Sequence, residues 1–246
     1  MLNPTSDVAL LEEHRNYVNT PNIEGNMTIC QQKKEEHFGI VGNNTIYTSD
    51  ENDIVLDIGC NDGTLLKNYQ AKKLRLVGID PAKNMAEFSK ETGAHIIVDY
   101  FSAKSFVEHY NHEKAKIITS VAVFYDLEDP SKFISDAAKA LDDNGIFVAQ
   151  LMCLNSMIKE NDLGNICHEH LEFYSYPSLK FLFEKNGLKI FKIEENDING
   201  GSYRIFCKKN ISRSISFKEK TNLSKIKKFI QRIELNKKKC LTFLIG

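Results

Sequence analysis

From residue 54 onward the chain alternates short apolar runs with helix-length amphipathic segments. The runs 54–58 (IVLDI), 75–79 (RLVGI), 95–98 (HIIV), 116–121 (KIITSV) and 146–152 (IFVAQLM) have strand length, and their near-continuous apolar character suits strands covered on both faces. Their spacing predicts repeated βα units and a mostly parallel sheet. The clearest helix lies between the last two runs. There "DPSKFISDAAKALDDNG" offers an Asp cap, Pro at the first helical position, Phe133, Ile134, Ala137 and Leu141 on one face, and a Gly stop. A second helix, "YPSLKFLFEKNG", begins at a Pro and stops at Gly187. "LKIFKIE" and "YRIFC" then flank "NGGS", predicting an antiparallel hairpin at the sheet edge. Beyond 221, Leu223, Ile226, Phe229, Ile230, Ile233, Leu241 and Leu244 recur at helical spacing among lysines, as in an amphipathic helix. Residues 1–50 carry weak periodicity and turn signals such as "NTPN" and "VGNN", and read as a loosely helical, irregular lead-in. The expected organisation is this lead-in, an α/β domain at 51–209 and a basic amphipathic helix at 210–246.

With 246 residues, 42% of them hydrophobic, the chain can bury a substantial core. No run approaches the roughly 18 to 20 apolar residues that span a bilayer, and "MLNPTSDVALLEEH" lacks the charged-then-apolar order of a secretion signal. A cytoplasmic protein without a membrane partner is expected. The six cysteines include no CxxC pair, which argues for reduced thiols rather than a disulfide framework or structural zinc. The net charge of -1 conceals an asymmetry: residues 208–239 hold 12 Lys or Arg against Glu219 and Glu234, so this tail is +10 and the rest -11. Such a tail could meet nucleic acid or a diphosphate-bearing ligand. A solvated helix face beside an acidic body accounts for it more simply, so nucleic acid is not the expected partner, and the apolar stripe suits a homodimer contact.

Candidate chemistry begins at "VLDIGCNDG". Asp57 ends the first strand, and Gly59, Cys60, Asn61 and Gly63 form the turn into the next helix, where ligands meet the edge of a parallel sheet. A dinucleotide site favours G-x-G-x-x-G; Asn61 stands at the second Gly position and weakens that reading. S-adenosylmethionine carries a sulfonium and an ammonium rather than a phosphate, so a carboxylate such as Asp57 is electrostatically suited to it. In "LVGIDP", Asp80 ends the second strand and is placed to accept from both ribose hydroxyls. "VDYF", ending the third, offers Asp99 to an adenine amino group and Tyr100 and Phe101 as an aromatic wall.

The second stretch is "NICHEHLEFYS". H-E-H is not the H-E-x-x-H helical pair and no second cysteine supports a zinc site, so no metal is expected. In an extended segment His168 and His170, two apart, face the same way, and both could enter a cleft beyond the fifth strand as proton acceptors.

"VLDIGCNDG" followed by "GIDP" resembles the class I S-adenosylmethionine-dependent methyltransferases. "DIGCNDGTLL", "HEHLEFYS" and "NGGSYR", in this order, resemble the sugar C-methyltransferases that act on nucleotide-linked deoxysugars. The resemblance covers roughly residues 50–245. It implies a Rossmann-like, seven-stranded, mostly parallel sheet with a reversed edge hairpin, S-adenosylmethionine as donor and a nucleotide-activated sugar as acceptor. It also implies His170 as general base with Glu169 as its neighbour and His168 beside them. Cys167 then falls at an acceptor contact, and Gly201, Ser202 and Arg204 of the hairpin lie near the acceptor; from their own place after the fourth strand, Tyr125 and Asp126 could also line the pocket. This sequence departs from the family in four ways: Cys167 stands for the Tyr that precedes H-E-H, Gln150 for a Glu after the fifth strand, the N-terminal zinc-binding cysteine cluster is missing, and a truncated C-terminal domain is expected, beginning in the basic tail. The departures tilt the expectation toward a sugar hydroxyl, in surface polysaccharide synthesis, over carbon methylation of a keto-deoxysugar. Rivals are methylation of another small molecule, a nicotinamide-dependent oxidoreductase, and a non-catalytic adenosyl-binding module whose basic tail docks RNA or a partner.

Overall fold

A computed structural model describes residues 28–30, 38–42, 45–49, 52–67, 69, 73–89, 92–219 and 222–245. Its centre is a seven-stranded sheet of β4 (Ile54–Ile58), β5 (Arg75–Ile79), β6 (His95–Ile97), β7 (Ala115–Val121), β8 (Leu141–Met152), β9 (Lys189–Asn196) and β10 (Ser202–Lys208). The spatial order is β6-β5-β4-β7-β8-β10-β9, parallel through β8, with β10 antiparallel to both β8 and β9. This is the Rossmann-like methyltransferase architecture that the sequence predicted. The strand order reverses between β4 and β7, which opens a crevice at their carboxyl ends. All five residues of β4 are buried, as a central strand requires.

The helices form where their end signals lie. α1 (Thr64–Lys67) and α2 (Lys83–Ser89) follow β4 and β5. α3 (Ala103–His109) and α6 (Tyr176–Lys185) open with reciprocal Ser capping boxes, Ser102 with Ser105 and Ser175 with Ser178. α4 (Pro130–Ala140) starts at Asp129, whose carboxylate accepts from the Lys132 N–H at 2.8 Å, and buries Phe133, Ile134, Ala137 and Ala140. Leu141, expected on that helical face, instead begins β8, so the strand extends five residues earlier than its apolar run. Phe124, Phe147 and Phe183 stack between α6 and the sheet.

Two regions depart from expectation. Within residues 1–50 the described segments are strands: β1 (Thr28–Cys30), β2 (Phe38–Gly42) and β3 (Thr45–Ser49) make an antiparallel sheet in place of a loosely helical lead-in. The remainder of 1–50 lies outside the described residues. At the other end, residues 210–219 belong to the domain rather than to a separate tail. Ile215 N–H donates to the Ile190 carbonyl at 2.7 Å, the Ile190 N–H donates to Ser214 Oγ, and the unpaired edge of β9 is thereby covered. The basic helix is confined to α7 (Leu223–Ile245). It docks on α5 (Leu154–Glu160) through Phe229, Ile226 and Ile233 against Met157, Ile158 and Leu154, and Arg232 donates to the Ile158 carbonyl at the end of α5. Leu223, Ile230, Leu235 and Leu241 of α7 are exposed. Among the described residues no helix is long and apolar enough to cross a membrane.

Candidate active site

The glycine turn after β4 is built to hold the end of β5. Gly59 and Gly63 take φ of +74° and +76°, and Asn61 is also left-handed at +47°. The Gly59 and Cys60 amides donate to the Ile79 carbonyl, and the Asn61 amide to Asp80 Oδ2 at 2.9 Å. These amides are therefore engaged by the sheet and are not presented to a pyrophosphate. The second oxygen of Asp80 accepts from the Ala82 N–H at 2.8 Å, which fixes the carboxylate while leaving lone pairs for hydroxyl donors.

Asp57 is 3% exposed, and Thr119 Oγ1 on β7 donates to its carboxylate at 2.6 Å. Burial pushes its carboxyl up to about 7, against the Thr119 hydrogen bond, and the nearby Asp80 charge pushes the same way. Two carboxylates that destabilise each other at one strand edge favour an incoming cation. Asp99 accepts from the Tyr100 N–H at 2.8 Å, and Tyr100 is 77% exposed beside it. Phe101 is partly buried and packs edge-on against Phe133, so of the anticipated aromatic wall Tyr100 is the more open ring. Acidic groups in place of free amides, with an open aromatic face, fit the sulfonium, ammonium, ribose and adenine of S-adenosylmethionine.

The end of β7 joins this turn to the H-E-H segment. Ala122 adopts φ +59°, a strained conformation for a non-glycine residue, with its N–H on the Gln150 carbonyl. The chain then brings Val123 over Gly59 so closely that a Cβ on Gly59 would overlap the Val123 Cγ2. Tyr125 follows in a short 3-10 turn (Phe124–Asp126), and its carbonyl accepts from the Leu171 and Glu172 amides at 2.8 and 3.2 Å. Its ring meets His170 edge to face, with centroids 4.5 Å apart, and burial raises its phenol well above the ordinary tyrosine range.

His170 is the partly sheltered member of the segment, its side chain 17% exposed. Nδ1 lies 2.9 Å from the Asn165 carbonyl oxygen. A carbonyl cannot donate, so Nδ1 carries the proton and Nε2 is the basic nitrogen of the neutral ring. Nε2 faces Asp126 Oδ1 at 3.9 Å, a distance for charge attraction rather than a hydrogen bond.

The remaining site candidates fall in two groups. Cys167 is exposed and close enough to Tyr125 to influence its phenol. His168, 90% exposed, lies 3.6 Å from Glu169 and away from the His170 pairing. The expectation that both histidines face one cleft assumed an extended chain; residues 161–170 are instead turns and irregular backbone, so alternation does not apply. The carboxylate beside His170 is Asp126, not Glu169. In the hairpin, Ser202 is buried and donates to the Ile198 carbonyl at 2.8 Å, while Gly201, at φ +114°, abuts Ser156 of α5 with no room for a Cβ. Arg204 is 3% exposed: Nε and Nη2 donate to Gln150 Oε1 at 3.1 and 2.7 Å, and Nη1 pairs with Glu194 at 3.4 Å. Cross-strand register sets this arrangement, since Arg204 lies opposite Gln150 on β8 and Glu194 on β9. Among the described residues no group of three or more His, Cys, Asp or Glu side chains is arranged to hold a metal ion.

Comparison with known proteins agrees with this geometry. A family model described as a methyltransferase domain matches residues 31–193. The C-methyltransferase NovU of Streptomyces niveus is 29% identical over 158 residues, covering 64% of this chain and 38% of that protein. The ubiquinone biosynthesis O-methyltransferase of Bartonella quintana is 27% identical over 154 residues, covering 57% of this chain and 62% of that protein. The chain thus spans less than two thirds of the length of either relative. Among solved structures, a chain from the Haloferax volcanii complex of the Trm112 methyltransferase activator superposes with a TM-score of 0.53 at 14% identity, over 68% of this chain and 86% of that one. The plantazolicin methyltransferase BpumL gives 0.51 at 15%, over 65% and 77%. At such identities these two similarities speak for the fold alone. With the family match spanning more than half of its residues, the chain belongs to the methyltransferase-domain family: it carries a class I S-adenosylmethionine-dependent methyltransferase domain that resembles those of C-methyltransferases.

Proposed function

We propose that this chain methylates a nucleotide-activated sugar, with His170 as general base. The observation that carries the reading is the His170 hydrogen bond to the Asn165 carbonyl, which leaves Nε2 basic beside Asp126. The loop bearing it is tied through Tyr125 and Val123 to the glycine turn. Bound at that turn, S-adenosylmethionine supplies a methyl group already made electrophilic by its sulfonium. The protein's own task is to hold cation and acceptor in line and to remove a proton. Asp57 and Asp80 provide the complementary charge for the donor. His170 Nε2 takes the acceptor's proton as the new bond forms, and the Asp126 carboxylate stabilises the resulting imidazolium. His168 and Glu169, both exposed, line the rim of the acceptor side with Cys167.

The sugar acceptor rests on the resemblance of "DIGCNDGTLL", "HEHLEFYS" and "NGGSYR" to nucleotide-sugar methyltransferases. A hydroxyl acceptor, for a surface glycan, fits the thiol at Cys167, since a thiol donates more weakly than a phenol to the enolate oxygen that carbon methylation generates. The similarity to the C-methyltransferase NovU favours the second reading, methylation of a carbon made acidic by a neighbouring ketone. The test is incubation with S-adenosylmethionine and a panel of GDP-, dTDP- and UDP-sugars, following S-adenosylhomocysteine and product mass. One sugar should gain a methyl group, with its position by NMR deciding oxygen against carbon, and His170→Ala should lower turnover by roughly 10²- to 10⁴-fold, the span of a general base. Equal turnover by His170→Ala removes the base assignment. Tight cofactor binding without turnover of any acceptor favours the non-catalytic module.

A further inference from the structure

We infer that Asp162 is a positioning residue that sets the tautomer of His170 by fixing the carbonyl to which Nδ1 donates; the inference rests on the reading of His170 as base. Residues 161–170 form no helix or strand, so nothing in the regular structure aims the Asn165 carbonyl. Asp162 does so from three sides. Its N–H donates to the Met157 carbonyl at 3.0 Å, just after the left-handed Asn161 (φ +54°) that ends α5, so the loop leaves the helix in one direction. One carboxylate oxygen accepts from the Gly164 N–H at 2.8 Å, and the other accepts from the Asn165 side-chain amide. Both bonds curl the loop around Asp162 and hold Asn165 by its side chain, which leaves its carbonyl facing His170. The third side is the hairpin turn. Gly200, at φ +74°, lies flush against the Asp162 carboxylate, and a Cβ there would overlap Oδ2.

The consequence is chemical. An imidazole free in water exchanges between two neutral tautomers, and only the form protonated at Nδ1 offers a lone pair at Nε2. A carbonyl held at 2.9 Å from Nδ1 selects that form. Releasing the carbonyl frees the ring to protonate at Nε2, where it cannot serve as base. The "NGG" of the hairpin, expected near the acceptor, thereby acts on the site from behind: its missing side chain lets Asp162 close on the loop. The groups facing the ring are the Asn165 carbonyl, the Tyr125 ring and the Asp126 carboxylate, and of these substitution at Asp162 releases only the carbonyl.

The experiment is long-range 15N–1H NMR of histidine-labelled protein with S-adenosylhomocysteine added, above the imidazole pKa, for wild type, Asp162→Ala, Asp162→Asn and Gly200→Ala. Wild-type His170 should show one neutral tautomer, protonated at Nδ1. Asp162→Ala and Gly200→Ala should move it toward the mixture of a free imidazole, and Asp162→Asn, which keeps one acceptor where the carboxylate has two, should move it less than Asp162→Ala does. Cofactor affinity within twofold of wild type certifies that each variant is folded. An unchanged tautomer in folded Asp162→Ala and Gly200→Ala overturns the inference. Because this readout needs no acceptor, it separates the two ideas: a moved tautomer with undiminished turnover refutes His170 as base and leaves the positioning role standing.

Discussion

Replacing Asp57 by Asn removes a carboxylate that the fold tolerates poorly without its ligand. Asp57 sits 3% exposed with one strong hydrogen bond, from Thr119 at 2.6 Å, and its carboxyl titrates near 7 rather than at the ordinary 3.8. Between those two values the folded protein holds a proton that the unfolded chain has released. Stability therefore falls as pH rises through the window, and the full loss above pH 7 is roughly 4 kcal/mol at 1.36 kcal/mol per pKa unit. About 3 kcal/mol of it is lost between pH 5 and pH 8. Asn cannot ionise, so the variant should escape this decline. Urea unfolding followed by circular dichroism at pH 5, 6, 7 and 8 measures it. The difference between wild type and Asp57→Asn isolates this one group from every other titration. The variant should gain on wild type steadily as pH rises.

The same carboxylate works in the opposite sense once a cation is bound. Wild-type affinity for S-adenosylmethionine should rise with pH up to about 7, with a proton released on binding below that value, seen as a dependence of calorimetric heat on buffer ionisation enthalpy. Asp57→Asn should bind more weakly, by on the order of 10- to 100-fold at pH 8, the scale of a hydrogen bond to a charged group, and with little pH dependence. Parallel stability curves for the two proteins across pH 5 to 8 would refute the argument, because a carboxylate that does not resist ionisation in the fold is not one held ready for a cation.

Other substitutions test the frame around it. Gly59→Ala combines a left-handed φ with overlap on Val123 and should cost roughly 2 to 5 kcal/mol in thermal unfolding, with weaker cofactor binding by calorimetry. Arg204→Met leaves Gln150 and the Glu194 carboxylate facing a buried apolar group and should cost about 3 to 5 kcal/mol by urea denaturation; adding Glu194→Leu should recover much of it, as expected for a structural rather than a substrate-binding arginine. Phe229→Ala should cost about 3 kcal/mol at the α5–α7 contact and speed tryptic cleavage within the lysine-rich α7 by about 10²-fold, with little change in global unfolding.

What the sequence disclosed depends on how locally each feature is determined. β4 and β5 match their apolar runs residue for residue, because a strand buried on both faces needs nothing but its own side chains to declare itself. The start of α4 and the stop of α6 were readable for the same reason: Asp129, Pro130 and Gly187 act within a turn of their own positions. β1 to β3 were missed, since short strands such as "TIC" and "TIYTS", interrupted by Gly, Asn and Thr, carry no run long enough to set a period. The pairing of Arg204 with Gln150 and Glu194 was not legible, because it is a matter of register, and register between β8, β10 and β9 is a property of three strands at once.

The candidate site adds a further kind of blindness. The resemblance singled out His170, but what leaves its Nε2 without a proton is a main-chain oxygen at Asn165, and no sequence pattern marks a carbonyl's direction. Asp126, readable as a possible pocket-lining residue but not as the partner of His170, faces Nε2 from 44 positions upstream, while the adjacent Glu169 points elsewhere. These partners become visible only when the segments joining them are followed: Gly59 receives Val123, Tyr125 holds the amides of Leu171 and Glu172, and Asp162 is closed between α5 and Gly200. The first two joints are a close backbone approach and a pair of backbone hydrogen bonds, and the third is a carboxylate that closes only because Gly200 has no side chain. The donor turn and the His170 loop are thus held in part by glycines and main-chain groups, which alanine scanning of the polar residues alone would miss. Substitutions at Gly59 and Gly200, which add only a methyl group, are the sharper probes of how this site is held together.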